Sequence, residues 1–376
     1  MYYLDNAATT QPSFAVVQAV QKGMTELFGN PSSLHRLGFE AEQAVEAARQ
    51  AVSELFGCDR SCVFFTSGGT EANNTVLFGA PKAYPHRGKR VVISAIEHAS
   101  VYEAAGELEK NGYQVIRLLP DSQGRISSQQ LLEAVTPDTV LVSCMLVNNE
   151  LGTVLPILDA ASRIKKKNPQ TLIHCDAVQA YGKMPLRMNR YPIDFCTSTA
   201  HKIHGPKGVG ALMVAKGVRV SPLHCGGNQQ KKLRPGTEPS PLILGFGVAC
   251  QEAKADMAAA YQHVSSLHRY LREEIAKMPD VEWLSPSDAL PYVASLRVST
   301  IRSETLMHFL EERQVYVSSG SACSKGRPSH VLEAIGLSRK KADSVVRISF
   351  SKENVERDVE MLLEGLREAL RRLARQ

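Results

Sequence analysis

The sequence predicts an α/β protein built on a mainly parallel sheet with helices covering it. Two observations carry this. Through the first two thirds of the chain, apolar runs of strand length alternate with segments whose apolar residues recur at helical spacing. Strand–helix–strand alternation of this kind builds a parallel sheet. The chain also has 376 residues, 43% apolar and 22% charged, enough for a large core. That composition excludes a disordered or fibrous protein. A net charge of +6 is too mild to imply nucleic acid. The 8 cysteines are scattered without any CxxC pair, the nearest being Cys58 and Cys62. This argues against a metal site or a disulfide framework and for a reducing compartment. No apolar run approaches the ~18 residues of a membrane span. Residues 1–6 lack the basic and apolar regions of a signal peptide.

The elements follow in order. Residues 38–56 are predicted as a helix, with Ala41, Ala44, Val45, Ala48, Val52, Leu55 and Phe56 on one face and Gly57 as its C-cap. Strands are expected at 62–66, 90–94, 114–119, 139–147, 171–175 and 193–197. Helices at 100–110, 128–135 and 157–167 separate most of them. From about residue 240 the rhythm changes to a long helical pattern over 241–277, bent or broken once. A smaller β/α set follows: strand 293–298, helix 304–313, strand 314–318, helix 329–335, strand 344–350 and helix 353–375. The last helix gathers Val359, Leu362, Leu363, Leu366, Leu370 and Leu373 on one face. Its late arginines suit a helix carboxyl end and read as a solvated face.

Four motifs carry chemistry. Thr66-Ser67-Gly68-Gly69-Thr70-Glu71 follows a strand and opens a helix. Two glycines and free helix N–H groups suit one phosphate; taken alone, the motif fits a capped turn equally well. Asp176 ends an apolar strand, where parallel sheets bind ligands, and by itself it also fits a turn aspartate. Lys202 follows a strand and precedes a Gly-Pro turn. It suits a Schiff base, or an exposed loop lysine if the other motifs are ignored. Together the three supply a phosphate cup, a carboxylate for a pyridinium nitrogen and an amine for an aldehyde, the contacts that pyridoxal 5′-phosphate (PLP) requires. The fourth motif is the polar stretch from Ser318 to His330 around Cys323. It reads as an exposed loop holding a reactive thiol beside Lys325 and Arg327, whereas Cys144, Cys175, Cys196 and Cys250 read as small core residues.

These motifs resemble a known family. Leu4 to Thr10, Gly29 to Ser33, Glu97-His98, Val147 to Gly152, Asp176 to Gln179, His201-Lys202, Arg234 to Thr237, Ser318 to Cys323 and Val346 to Ser349 occur in family order along essentially the whole chain. The chain resembles cysteine desulfurases of the NifS/IscS type, class V aminotransferases of PLP fold-type I. The resemblance implies a large domain (12–255) with a mainly parallel seven-stranded sheet flanked by helices. A smaller α/β domain (1–11 and 256–376) carries the cysteine loop (about 318–330). It implies that Lys202 bonds the cofactor and moves the substrate Cα proton, that Asp176 holds the pyridine nitrogen, and that His98 stacks on the ring. Gly69, Thr70, Thr199 and His201 hold the phosphate, with Thr237 reaching the neighbouring subunit's phosphate in a homodimer. Gln179 meets the phenolic oxygen. Asn149, Arg347 and Asn30 bind substrate, Arg347 by a two-pronged contact suited to a carboxylate.

The implied reaction turns L-cysteine into alanine, with Cys323 taking the sulfur as a persulfide for a protein acceptor. That acceptor is a tRNA 4-thiouridine-forming enzyme or an iron–sulfur scaffold protein. The loop is slightly shorter than in many relatives, and the chain stops at Gln376, where iron–sulfur relatives usually continue into a docking tail. The compact form resembles relatives serving tRNA thiolation. A cytoplasmic enzyme is expected, with no direct nucleic-acid or membrane contact. Selenocysteine lyase and transaminase chemistry are the neighbouring alternatives, the latter having no use for Cys323. A non-catalytic scaffold is the alternative of a different class.

Overall fold

The computed structural model describes residues 1–319 and 329–373. Strand β1 (Tyr2–Tyr3) comes first and stands apart from the main sheet. That sheet holds β2 (Val63–Thr66), β3 (Arg90–Ser94), β4 (Gln114–Leu118), β5 (Thr139–Met145), β6 (Leu172–Asp176), β7 (Phe195–Thr199) and β8 (Gly210–Val214). Their lateral order is β2-β8-β7-β6-β5-β3-β4. The pairs among β3 to β7 are all parallel, while β8 runs against both β7 and β2.

Alternation along the strands builds two cores. Val91, Ile93, Leu141, Leu172 and Phe195 pack with Ala72, Val76 and Leu77 of the helix Gly69–Ala83 and with Val101 and Leu108 of the helix Ala99–Lys110. Their neighbours Val92, Val142, Ile173 and Cys196 face the other way. They join Val45, Val52 and Leu55 of the helix Arg36–Phe56 and Ile243 and Phe246 of the helix Ser240–Ile275. A sheet covered on both faces reads as continuous apolar runs, and β5 and β6 are buried at every position.

The second sheet is antiparallel. It is built from β9 (Val281–Trp283), β10 (Val293–Val298), β12 (Ser318–Ser319) and β13 (Val345–Ser349), in the order β12-β13-β10-β9. Between its strands, β11 (Val315–Tyr316) pairs in parallel with β1, so the chain's first residues lie against a segment more than three hundred residues later. The helix Glu356–Arg372 buries Val359, Leu362, Leu363 and Leu366.

The structure differs from expectation at a few elements. The pattern over 241–277 is one unbroken helix of 36 residues, Ser240–Ile275, because its only proline stands at the amino end and no glycine follows Gly247. The boundary expected at 255/256 therefore falls inside a continuous helix. The strand expected at 314–318 divides into β11 and β12, since each pairs with a different partner strand. Strands β8 and β9 and the helix Phe14–Thr25 are additional. Gly57 caps its helix in the left-handed region, at φ 68°.

Candidate active site

Five parallel strands end at one edge of the main sheet, and a site segment follows each. β2 runs into Gly68-Gly69, β3 toward Glu97-His98 and β5 toward Asn148-Asn149. β6 ends on Asp176 itself, and β7 leads into the short turn Ala200–Lys202. Ligands of such sheets bind beyond the strands' carboxyl ends, because loops from several strands converge there.

Asp176 is buried and doubly held. Its Oδ1 accepts from the Val178 amide at 2.9 Å and its Oδ2 from Asn73 Nδ2 at 2.7 Å. The other hydrogen of the same Asn73 amide goes to Ser100 Oγ at 2.8 Å. Ser100 Oγ then donates to His98 Nδ1, 2.8 Å away, and the Ser100 amide also donates to that nitrogen at 3.2 Å. With Nδ1 accepting twice, a neutral His98 carries its proton on Nε2. Desolvation lowers the His98 pKa below its ordinary value, opposed by Asp176 and aided by Lys202. Glu97, fully buried, is pushed up to about 8 by burial, with the charge of Asp176 adding to it. Burial thus favours the neutral acid, whose Oε1 accepts from the Met145 amide at 2.9 Å.

The anion cradle is made by close backbone approach. The helix Gly69–Ala83 starts without a side-chain cap, which leaves its first N–H groups available. Gly210 pairs with both Thr66 and Thr199. A Cβ on Gly210 would lie 2.8 Å from the Gly68 backbone and from the Ser198 carbonyl, so only glycine lets these strand ends meet. Thr199 is buried and donates to the Val209 carbonyl at 3.2 Å. His201 Nδ1 lies 3.3 Å from Thr9 Oγ1, and desolvation, with Lys202 beside it, lowers its pKa to about 4. Thr70 is exposed at the mouth of the cradle.

The amino-terminal segment ties the remaining residues together. Lys202 Nζ donates to the carbonyls of Ala7 and Ala8, the latter at 2.7 Å. Gln179 Nε2 donates to the same Ala7 carbonyl at 3.0 Å. Arg347, on β13 of the second sheet, donates to Asp5 Oδ1 at 2.8 Å and to the Asn149 carbonyl at 3.1 Å. Within four residues, Asp5 to Ala8, the chain touches the lysine, the glutamine and the arginine, so these three belong to one site.

Two expected residues are not linked to it. Asn30 is exposed and caps its own turn, accepting from the Ser32 amide at 3.0 Å, and Thr237 is exposed. Cys323, Lys325 and Arg327 lie outside the described residues. Sequence reasoning passed over Asn73, Asp5, Glu97 and Lys183. Asp5 and Glu97 lay inside motifs named above and Asn73 two residues beyond Glu71, and their polarity beside apolar neighbours was the available signal.

Residues 2–362 match the family described as Aminotransferase class-V. The chain belongs to this family. It is 37% identical to the cysteine desulfurase IscS of Methanosarcina thermophila, over 99% of this chain and 92% of that protein. Among solved structures, a NifS-like protein superposes with a TM-score of 0.93 at 36% identity, covering 98% of this chain and 99% of that one. SspA in complex with cysteine superposes with a TM-score of 0.83 at 33% identity, covering 94% and 100%. The family places the chain among PLP-dependent cysteine desulfurases. The residues present fit PLP: an uncapped helix start with a glycine cradle, a buried carboxylate and a lysine share one sheet edge. Of the buried polar atoms around residues 5–8, Asn149 Oδ1 and Arg347 Nε have no hydrogen-bond partner among the described residues. Such atoms are costly unless a ligand meets them. Also among the described residues, no helix is long and apolar enough to cross a membrane, and no metal-ligand cluster forms.

Proposed function

We propose that this protein takes sulfur from L-cysteine, releases L-alanine and carries the sulfur as a persulfide on Cys323. The observation supporting it is the convergence of Lys202, Gln179 and Arg347 on residues 5–8, an amine and a carboxylate-binding guanidinium in reach of one small amino acid. PLP, when bound, supplies an aldehyde for amine condensation and a cationic ring that draws electrons from the substrate Cα. Gly69, Thr70, Thr199 and His201 would hold its phosphate, and Asp176 would keep the ring nitrogen protonated.

Arg347 grips the substrate carboxylate with Asn149 beside it. Lys202 Nζ takes the proton from the substrate Cα. His98, neutral with its proton on Nε2, would be the residue against the ring. The Cys323 thiolate attacks the substrate sulfur. An S–S bond forms, the C–S bond breaks, and its electron pair stays on the substrate β-carbon, which takes a proton to become the methyl of alanine. A protein thiol then collects the sulfur, in tRNA thiolation or iron–sulfur assembly.

The working unit is a cytoplasmic homodimer in which Thr237 serves the partner's cofactor. Phe14, Met24, Phe28, Leu34 and Phe39 support the homodimer, because each is exposed and apolar side chains open to water are what a second copy covers. Purified protein loaded with PLP is expected to be yellow. Lys202→Ala is expected to lose that absorbance. Cys323→Ala should keep it while releasing almost no alanine. Full turnover by Cys323→Ala would refute the nucleophile assignment, and a wild type that stays colourless with PLP would favour the scaffold alternative. Following labelled sulfur from the loaded protein into candidate acceptors identifies the partner.

A further inference from the structure

Lys183 is 6% exposed and takes no part in the reaction described above. Burying an ammonium is costly unless it does something where it sits. Its Nζ donates to Gln179 Oε1 at 3.1 Å, and the other end of that amide, Nε2, donates to the Ala7 carbonyl. The same carbonyl accepts from Lys202. An ammonium only donates and a carbonyl only accepts, so both neighbours select one orientation of the Gln179 amide.

We propose that Lys183 is a positioning residue for the cofactor: it stands behind Gln179, fixes the amide so that its NH₂ edge faces the Lys202 side, and adds positive potential at Lys202. This rests on the PLP reading of the site. The charged and titratable groups around Lys183 are Lys202 and Arg347, with His201 and His204 nearby and the Tyr292 ring 5.5 Å from its Nζ. The cavity it lines also contains Glu252 and Asp256, and Asp256 is paired with Lys352 at 2.6 Å. Burial lowers the Lys183 pKa to about 7, and repulsion from Lys202 and then Arg347 adds to it. Coulomb repulsion is mutual, so Lys183 acts on the charge at Lys202 as Lys202 acts on it. A fixed NH₂ edge and a nearby cation both favour negative charge on a ligand oxygen at that edge, and both disfavour a proton on the nitrogen that Lys202 contributes. The two effects therefore act in the same direction.

The test is a pH titration of the visible absorbance of PLP-loaded protein, read together with the PLP dissociation constant and the melting temperature. Lys183→Met keeps the length and removes donor and charge. Its midpoint is expected to rise by about half a unit to one unit, with PLP affinity falling about tenfold. Lys183→Arg restores a cationic donor and should recover at least half of both changes. In a Gln179→Ala background the Lys183→Met effect should shrink, because the two residues act as one unit. If Lys183→Met destabilises the fold, Lys183→Gln, neutral and still polar, is held to the same expectations. An unchanged midpoint and affinity in the neutral variant overturns the proposal, and so does a loss confined to the melting temperature. A wild type that forms no visible band with PLP overturns the functional reading itself, a separate outcome.

Discussion

Replacing Glu97 with glutamine should make the protein less sensitive to rising pH. Glu97 is fully buried; burial first, and then the charge of Asp176, raise its pKa from the ordinary 4.5 to about 8. Between those values the folded chain holds this proton and the unfolded chain does not. Stability from this group is therefore complete below pH 4.5 and is lost as pH rises through about 8, at up to ~1.4 kcal/mol per pH unit. From pH 6 to pH 8 the loss is about 2 kcal/mol once flattening near the folded pKa is included. Glutamine keeps an oxygen for the Met145 amide and carries no proton to lose. Unfolding entropy of ~2.1 cal/mol/K per residue converts 2 kcal/mol into about 3 °C for a chain of this size. The assay is differential scanning fluorimetry of Glu97→Gln and wild type side by side at pH 6 and pH 8, so that other titrating groups cancel. The variant should gain about 3 °C on the wild type between the two pH values. A difference that stays constant with pH, or moves the other way, would show that Glu97 is not held neutral.

Three further outcomes follow from the site geometry. Asn73→Ala removes the donor on Asp176 Oδ2 and unties Ser100, so it should cost about 1–3 kcal/mol of stability and weaken PLP binding, both read by titrating PLP against a melting curve. Gly210→Ala pushes a methyl into the Gly68 backbone and should cost about 1–3 kcal/mol; a variant that melts and binds PLP like wild type would rule out the close approach. Arg347→Lys replaces a planar fork by a point charge. It should raise the KM for L-cysteine roughly tenfold or more while PLP absorbance is retained, and an unchanged KM would remove Arg347 from the substrate carboxylate.

Much of the site was legible in the sequence because its parts sit at strand ends, where the pattern changes abruptly. Asp176 ends an apolar strand, Gly68-Gly69 interrupts a strand-to-helix passage, and Lys202 follows β7 directly. Local residue order marks such junctions, and the parallel alternation brings them to one edge. The helix end capped by Gly57 was legible for the same reason.

What local order cannot convey is which distant residues share a hydrogen bond. Only the folded chain brings Asp5 to Arg347, Ala7 to Lys202 and Gln179, and Asn73 to Asp176. These pairs lie far apart in sequence, and each depends on burial that removes competing water. The division of 314–318 between two sheets was likewise decided by partners elsewhere, β1 for one half and β13 for the other. The pKa values of Glu97, His201 and Lys183 depend on desolvation, a property of the packed interior. By itself, then, the sequence determined the α/β class, the strand-end chemistry and the kind of cofactor. Tertiary structure decided which residues touch and which charges survive burial, because both depend on neighbours brought together by the fold.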